Sequence, residues 1–150
     1  MPAPPQTPPT GGVSFCDEAL MRFAIAIHGA PFSHQGAQSA YRFALATLAA
    51  GHRIGRIFFY QDGVHNGNRL ITPAQDELNL PDCWQTLAEQ HEIELVVCIA
   101  AAARRGVLDQ REAARHQHPA ANLAPGFTLS GLGQWIDALT ESDRFIAFGP

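Results

Sequence analysis

The softest nucleophiles in the sequence are three cysteines, Cys16, Cys83 and Cys98. Their count is odd and no two stand at C-x-x-C spacing. Neither a disulfide scaffold nor a zinc knuckle is supported. Free thiols point to a reducing compartment, so a cytoplasmic protein is expected. Cys98 has the most suggestive surroundings. It follows the apolar run Leu95-Val-Val and precedes four consecutive alanines, then Arg104-Arg105-Gly106. The small side chains leave room for another molecule to approach. Arg104 and Arg105 would favour a thiolate, as would any helix N-terminus facing the sulfur. The thiolate is the attacking species in sulfur exchange. A plainer reading fits the same residues. A lone cysteine in a buried strand is a small hydrophobe, and the arginines are then solvated or pair with carboxylates such as Asp109. The residue types alone leave both readings open. Cys83, just after Pro81-Asp82, reads as a partly buried helix residue. Cys16 lies in a tail and has no expected role in the fold.

Other reactive side chains make weaker groupings. His28 and His34 fall in the loop after the first apolar run, where they could bind a metal or move protons. No carboxylate or cysteine stands near them at a ligand spacing, and no metal or other cofactor is expected. His116 and His118 read as a solvated helix end. The loop His28-Gly-Ala-Pro-Phe-Ser-His-Gln-Gly36 is not the G-x-G-x-x-G of a dinucleotide site. Gly131-Leu-Gly133 reads as a tight loop before a helix.

Composition removes whole classes of chemistry. The ten basic residues are all arginine. Lysine Schiff-base chemistry is excluded, and so is a Walker A loop. The net charge is -4 and the isoelectric point about 5.9. That balance argues against autonomous nucleic-acid binding, which shows as a basic stripe. The longest wholly apolar run, Ile99 to Ala103 together with the Leu95 to Cys98 that precede it, is far short of the roughly 20 residues that span a bilayer. With 150 residues, 46% apolar and 16% charged, the chain suits one domain with a proper core.

The elements that must position Cys98 can be read from periodicity. Five of the first nine residues are proline, followed by Gly11 and Gly12. Residues 1–20 are expected to be an extended or disordered extension, with the domain spanning 21–150 and Met21 reading as a natural start. Residues 22–28 read as a buried strand and 36–50 as a helix stopped by Gly51. Residues 54–60 form a second strand, followed by turn chemistry at Gln61-Asp-Gly63 and a loop over 62–81. Asp82 is expected to cap a helix running to about Gln90. A third strand covers 93–99. Short helices are expected at 109–117 and 131–139, and a last strand at 144–148. Apolar strands separated by helices predict a three-layer α/β/α sandwich with an open, mainly parallel sheet of about five strands. Reactive groups in such sheets collect beyond the carboxyl ends of the strands, where Cys98 falls.

Several segments, taken in order, resemble the TusD/DsrE family of sulfur-relay proteins. They are Met21-Arg-Phe-Ala, Arg56-Ile-Phe-Phe-Tyr-Gln-Asp-Gly-Val64, Pro73-Ala-Gln-Asp-Glu77, Val97-Cys-Ile-Ala-Ala-Ala-Ala-Arg-Arg-Gly-Val107, Ala121-Asn122, Leu129-Ser-Gly-Leu-Gly133 and Asp143-Arg144. The resemblance spans essentially residues 21–149. It implies a sulfurtransferase subunit that uses Cys98 as the sulfur carrier. A TusA-like donor would supply sulfane sulfur, held on Cys98 as a persulfide and passed to a TusE-like acceptor. It also implies a heterohexamer, a dimer of heterotrimers, with TusB-like and TusC-like subunits. In the TusD branch the sulfur ends in 2-thiouridine at tRNA wobble positions, without direct contact between this chain and tRNA. In the DsrE branch it serves dissimilatory sulfur oxidation. Segments 58–64 and 75–81 look more like the TusD branch. Arg104 and Arg105 match the motif, and they would hold the loop or neutralise the thiolate. Phe58, Phe59 and Tyr60 are expected in the core and at a subunit contact. Segment 62–77 is long for a plain crossover, so it is expected to shape the entrance to Cys98 or to contact a neighbouring subunit.

Two other readings compete. One is a scaffold subunit in which Cys98 is inert packing. The other is a small nucleotide-binding α/β protein, disfavoured by the missing glycine fingerprint and the absent lysine.

Overall fold

The computed structural model describes residues 19–150. Cys16 and nearly all of the proline-rich extension lie outside the described residues. Apolar runs that alternate with helical segments fold into an open sheet. The order is β1 (Arg22–Ile27), α1 (Gly36–Ala49), β2 (Arg53–Phe59), a 3-10 helix (Gln61–Gly67), α2 (Leu80–His91), β3 (Glu94–Cys98), α3 (Ile99–Arg104), α4 (Gln110–Arg115), β4 (Phe127–Ser130), α5 (Gly133–Thr140) and β5 (Arg144–Phe148). The five strands lie in the order β4-β3-β2-β1-β5, and every pairing is parallel. The expected mainly parallel α/β sandwich is what forms.

Side chains alternate between the two faces of each strand, and aromatic contacts show which helices cover which face. Phe23 of β1 meets Phe43 of α1 edge-on at 5.9 Å. Phe59 of β2 meets Trp84 of α2 at 5.8 Å. These lie on one face. The next residue in phase, Phe58, turns the other way and packs on Trp135 of α5 at 5.1 Å. Phe145 of β5 joins that contact at 5.9 Å. Arg56, on the same face, donates to the Gln134 carbonyl of α5 at 2.8 Å and to Glu94 at 2.6 Å. Thus α1 and α2 cover one face, and the single short helix α5 covers the other.

Four departures from the sequence reading have local causes. The sequence reading has no strand where β4 forms, because four residues with alternating polarity carry little signal on their own. The segment becomes a strand by pairing with β3, Leu95 to Phe127 through Cys98 to Ser130. The third strand, expected over 93–99, ends at Cys98, and the alanine run after it, for which the sequence reading gives no element, is ordered. It is the helix α3, since alanine is the strongest helix former, and Gly106 ends it in the left-handed region at φ 70°. The helix expected to start at Asp82 starts at Leu80, with Asn79 as N-cap. Pro81 suits a first turn because its missing N–H would be unpaired there anyway. Asp82 is therefore not the cap; it sits in that first turn and accepts from the Asn79 amide at 2.6 Å. The expected loop over 62–81 begins within a 3-10 helix.

That 3-10 helix is pinned across the carboxyl ends of the strands. Gly63 donates to the His28 and Tyr60 carbonyls, each at 2.9 Å. A Cβ on Gly63 would overlap the Ile27 carbonyl oxygen. Asn66 is fully buried. Its amide donates to the Gly63 carbonyl at 2.9 Å and the Gly29 carbonyl at 3.3 Å. Its oxygen accepts from the Trp84 indole at 3.2 Å. Replacing Asn66 with Ala strands the buried Trp84 N–H and removes these bonds. A loss of about 3 kcal/mol in urea unfolding is expected, and a loss below about 0.5 kcal/mol would contradict this role.

Candidate active site

Cys98 ends β3 and is also the N-cap residue of α3, with extended backbone at φ -62° and ψ 116°. Its side chain forms no capping hydrogen bond. It lies two residues after Val96, which pairs with Phe58, so its thiol points to the α5 face. Cys98 is 2% exposed, yet it lines an open cavity of about 550 Å³. Cys98 thus lies at the floor, and an incoming group must reach into the cavity to meet it.

Three elements build the walls. Ile99, Ala100 and Ala101 come from α3, Tyr60 and Gln61 from the start of the 3-10 helix that follows β2, and Gly131 and Leu132 from the approach to α5. The expected room made by small residues is present, but only part of the alanine run supplies it. Ala102 is fully buried, and Ala103 packs on the small cluster of Leu108, Ala113 and Ala121.

The two arginines line the same cavity and separate in role. Arg105 donates from Nε to Asp62 Oδ1 at 2.6 Å and from its terminal nitrogen to the Ala101 carbonyl at 3.3 Å. It latches the 3-10 helix onto α3. Its partner is Asp62 and not Asp109, whose carboxylate instead caps α4 by accepting from the Glu112 N–H at 2.8 Å. Arg104 is exposed and has no ion-pair partner among the described residues. Its charge is therefore the one left unanswered at the cavity.

Gln61 and Leu132 are cavity residues that the sequence reading did not single out, and Tyr60, expected in the core and at a subunit contact, also lines the cavity. Gln61 lies in the left-handed region at φ 48°, unusual for a side chain with a Cβ. Nothing in its local sequence beyond the turn signal of Gln61-Asp-Gly63 marks it. No residue of segment 62–77 lines the Cys98 cavity; Asp62 bears on it only through its bond to Arg105. Asp76 and Glu77 line a separate cavity of about 360 Å³ with Phe32 and His34. His28 and His34 thus part company. His34 is exposed on the loop after β1, and His28 turns inward between Tyr60 and Trp135. Among the described residues no three His, Cys, Asp or Glu side chains gather as a metal site.

Cys83 is a poor alternative nucleophile. It is half-buried in α2, and burial pushes its thiol up, with the neighbouring Asp82 acting in the same direction against a hydrogen bond from Tyr41. That leaves less thiolate at neutral pH.

Residues 21–148 match the family described as DsrE/DsrF-like. The chain belongs to the DsrE/DsrF-like family. It is 51% identical over 129 residues to sulfurtransferase TusD of Serratia proteamaculans, covering 86% of this chain and 100% of that one. It is 50% identical over 129 residues to DsrE of Allochromatium vinosum, covering 86% and 99%. The fold matches the crystal structure of the YchN protein of E. coli with a TM-score of 0.69 at 18% identity, over 86% of this chain and all of that one. The family resemblance read from ordered motifs is thereby established for the chain. No helix among the described residues is long and apolar enough to cross a membrane.

The Arg105 hydrogen bond holds the Asp62 carboxyl below the usual carboxylate range. A lowered folded-state pKa stabilises above the unfolded value, and the benefit is lost as pH falls through the folded value. The small difference in urea midpoint between wild type and Asp62→Asn is expected to hold from neutral pH to the ordinary Asp value of about 3.9 and to close below it. A difference that grows on acidification would contradict the latch.

Proposed function

We propose that Cys98 carries the sulfur-transfer chemistry for which the TusD relatives of this chain are named. The observation that supports this most is the placement of Cys98 at the carboxyl end of β3, on the floor of an open cavity that Arg104 and Arg105 also line. A core-packing cysteine needs neither the cavity nor the charges.

The chemistry needs no metal and no redox partner. The Cys98 thiolate attacks the terminal sulfur of a donor persulfide, R–S–SH. A new S–S bond forms at Cys98, the donor S–S bond breaks, and the donor leaves as R–S⁻. An acceptor thiolate then attacks the terminal sulfur of the Cys98 persulfide, and Cys98 leaves as thiolate. Sulfane sulfur keeps its oxidation level throughout. The reacting atoms must meet in line at about 3.5 Å, so each partner must seat its sulfur within the cavity. Negative charge passes between sulfurs at every step, and the unpaired Arg104 guanidinium offsets it.

In this reading a TusA-like protein is the donor and a TusE-like protein the acceptor. The end product is 2-thiouridine at the tRNA wobble position. The chain acts within a heterohexamer with TusB-like and TusC-like subunits. An exposed apolar strip on α5 supports a subunit contact there. Leu132, Ile136 and Leu139 are 49%, 61% and 43% exposed at helical spacing, and such strips mark interaction surfaces. The acidic net charge of -4 suits a protein that hands sulfur to other proteins and leaves tRNA to them. The DsrE relative, at 50% identity, supports a second reading in which the same carrier chemistry serves sulfur oxidation.

Intact-protein mass spectrometry after incubation with a persulfidated donor tests the carrier. Wild type is expected to gain one sulfur atom, mapped to the Cys98 peptide, and Cys98→Ser to gain none. An unmodified wild type, with partner subunits present and an active donor, would sink the reading in favour of a scaffold. Whether a TusE-like acceptor then takes the sulfur from the Cys98 persulfide separates the two branches.

A further inference from the structure

His28 occupies a position where a nonpolar ring would pack at lower cost. It ends the run of β1 and meets Tyr60 edge-on at 5.7 Å and Trp135 edge-on at 5.5 Å. Tyr60 and Trp135 also meet each other at 5.5 Å. The three rings join the ends of β1 and β2 to α5, and Tyr60 is itself part of the wall of the Cys98 cavity. The His28 Nε2 is buried and has no hydrogen-bond partner among the described residues. A phenylalanine would fill the same space without desolvating a ring nitrogen. What phenylalanine would lack is the other nitrogen. His28 Nδ1 lies 3.2 Å from Gln61 Oε1.

That contact fixes a proton and an orientation. An amide oxygen only accepts, so Nδ1 carries the hydrogen and Nε2 is left as a lone pair. Gln61 is long, exposed and otherwise free to rotate, and its backbone is already held. Tyr60 N–H bonds the Ile27 carbonyl and Gly63 N–H bonds the His28 carbonyl, each at 2.9 Å. The left-handed φ of 48° at Gln61 turns its side chain into the cavity wall. With Oε1 held by His28, the amide NH2 has no protein partner among the described residues. It supplies two N–H donors at the cavity where sulfur must change charge.

We propose that His28 is a positioning residue for sulfur transfer, orienting the Gln61 amide so that its N–H groups donate to the anionic sulfur in the Cys98 cavity. The inference rests on the reading of Cys98 as the sulfur acceptor. A donor held in place before reaction stabilises developing charge without reorganising. Gln61 left to rotate would spend most of its time in other rotamers.

The test uses the full chain and inorganic polysulfide. The Cys98 thiolate attacks the protonated terminal sulfur, an S–S bond breaks, and the shortened polysulfide leaves with the electron pair. Loading is followed by mass spectrometry over a range of polysulfide concentrations. His28→Phe keeps the ring contacts and removes the hydrogen bond. Its maximal loading rate is expected to fall about tenfold with the half-saturating concentration unchanged. His28→Asn, whose amide nitrogen can take the place of Nδ1, is expected to recover the rate to within about twofold. Gln61→Leu should slow loading as His28→Phe does, and the double variant should be no slower than either. Melting temperatures check that each variant folds; if His28→Phe does not, the Asn and Gln61→Leu variants decide. A wild-type rate in His28→Phe would overturn the proposal. So would a folded Asn variant as slow as Phe, or an additive loss in the double variant. Failure of wild type itself to load would remove the Cys98 reading, and this one with it. Equal loading of all variants would remove only the role of His28.

Discussion

The site depends on the buried amide of Asn66. A parallel sheet ends in a row of backbone groups with no further strand to satisfy them. Here the 3-10 helix lies across that row, and a fully buried side chain holds it there. Asn66 bonds Gly63 in its own segment, Gly29 after β1 and Trp84 in α2. Trp84 in turn sits among Tyr41, Phe59 and the rest of the core. Once the segment is anchored from behind, its leading residues have few options. Gln61 then lines the cavity beside Cys98 at the end of β3, and Asp62 meets Arg105.

The cavity follows from that anchoring and from the change of structure at Cys98. The strand stops and α3 starts at the same residue, so the thiol sits where backbone direction turns. Alanines on the first turn keep the approach open. Arg105, four residues after Ala101, then reaches back to Asp62 and closes the ring of contacts between α3 and the 3-10 helix. One arginine is thus consumed in structure, and its neighbour is left to face solvent at the cavity. Two adjacent residues of one type divide the labour because only one can reach the carboxylate.

The two faces of the sheet differ in how well they are covered. Two helices and a continuous aromatic core protect one. The other relies on α5, held by Trp135 and by the Arg56 bond to the Gln134 carbonyl. Cys98, Tyr60 and His28 all lie toward this thinner side. Cys98 therefore stands beside the exposed strip of α5, and in the proposed reading sulfur exchange and subunit contact share one end of the molecule.

Much of this was legible in the chain. Strands such as Arg22–Ile27 and Glu94–Cys98 announce themselves because an apolar run buried on both faces is a local property. The position of Cys98 at the end of such a run, ahead of small residues and arginines, is equally local, and so is the ordered set of family motifs. What the sequence could not contain is pairing across distance. The strand β4 exists because β3 lies beside it. Arg105 meets Asp62 across 43 positions and not Asp109 nearby. His28 meets Gln61 across 33. Local propensity decides which segments can be strands or helices. Which side chains share a cavity is decided only when the sheet order brings their ends together.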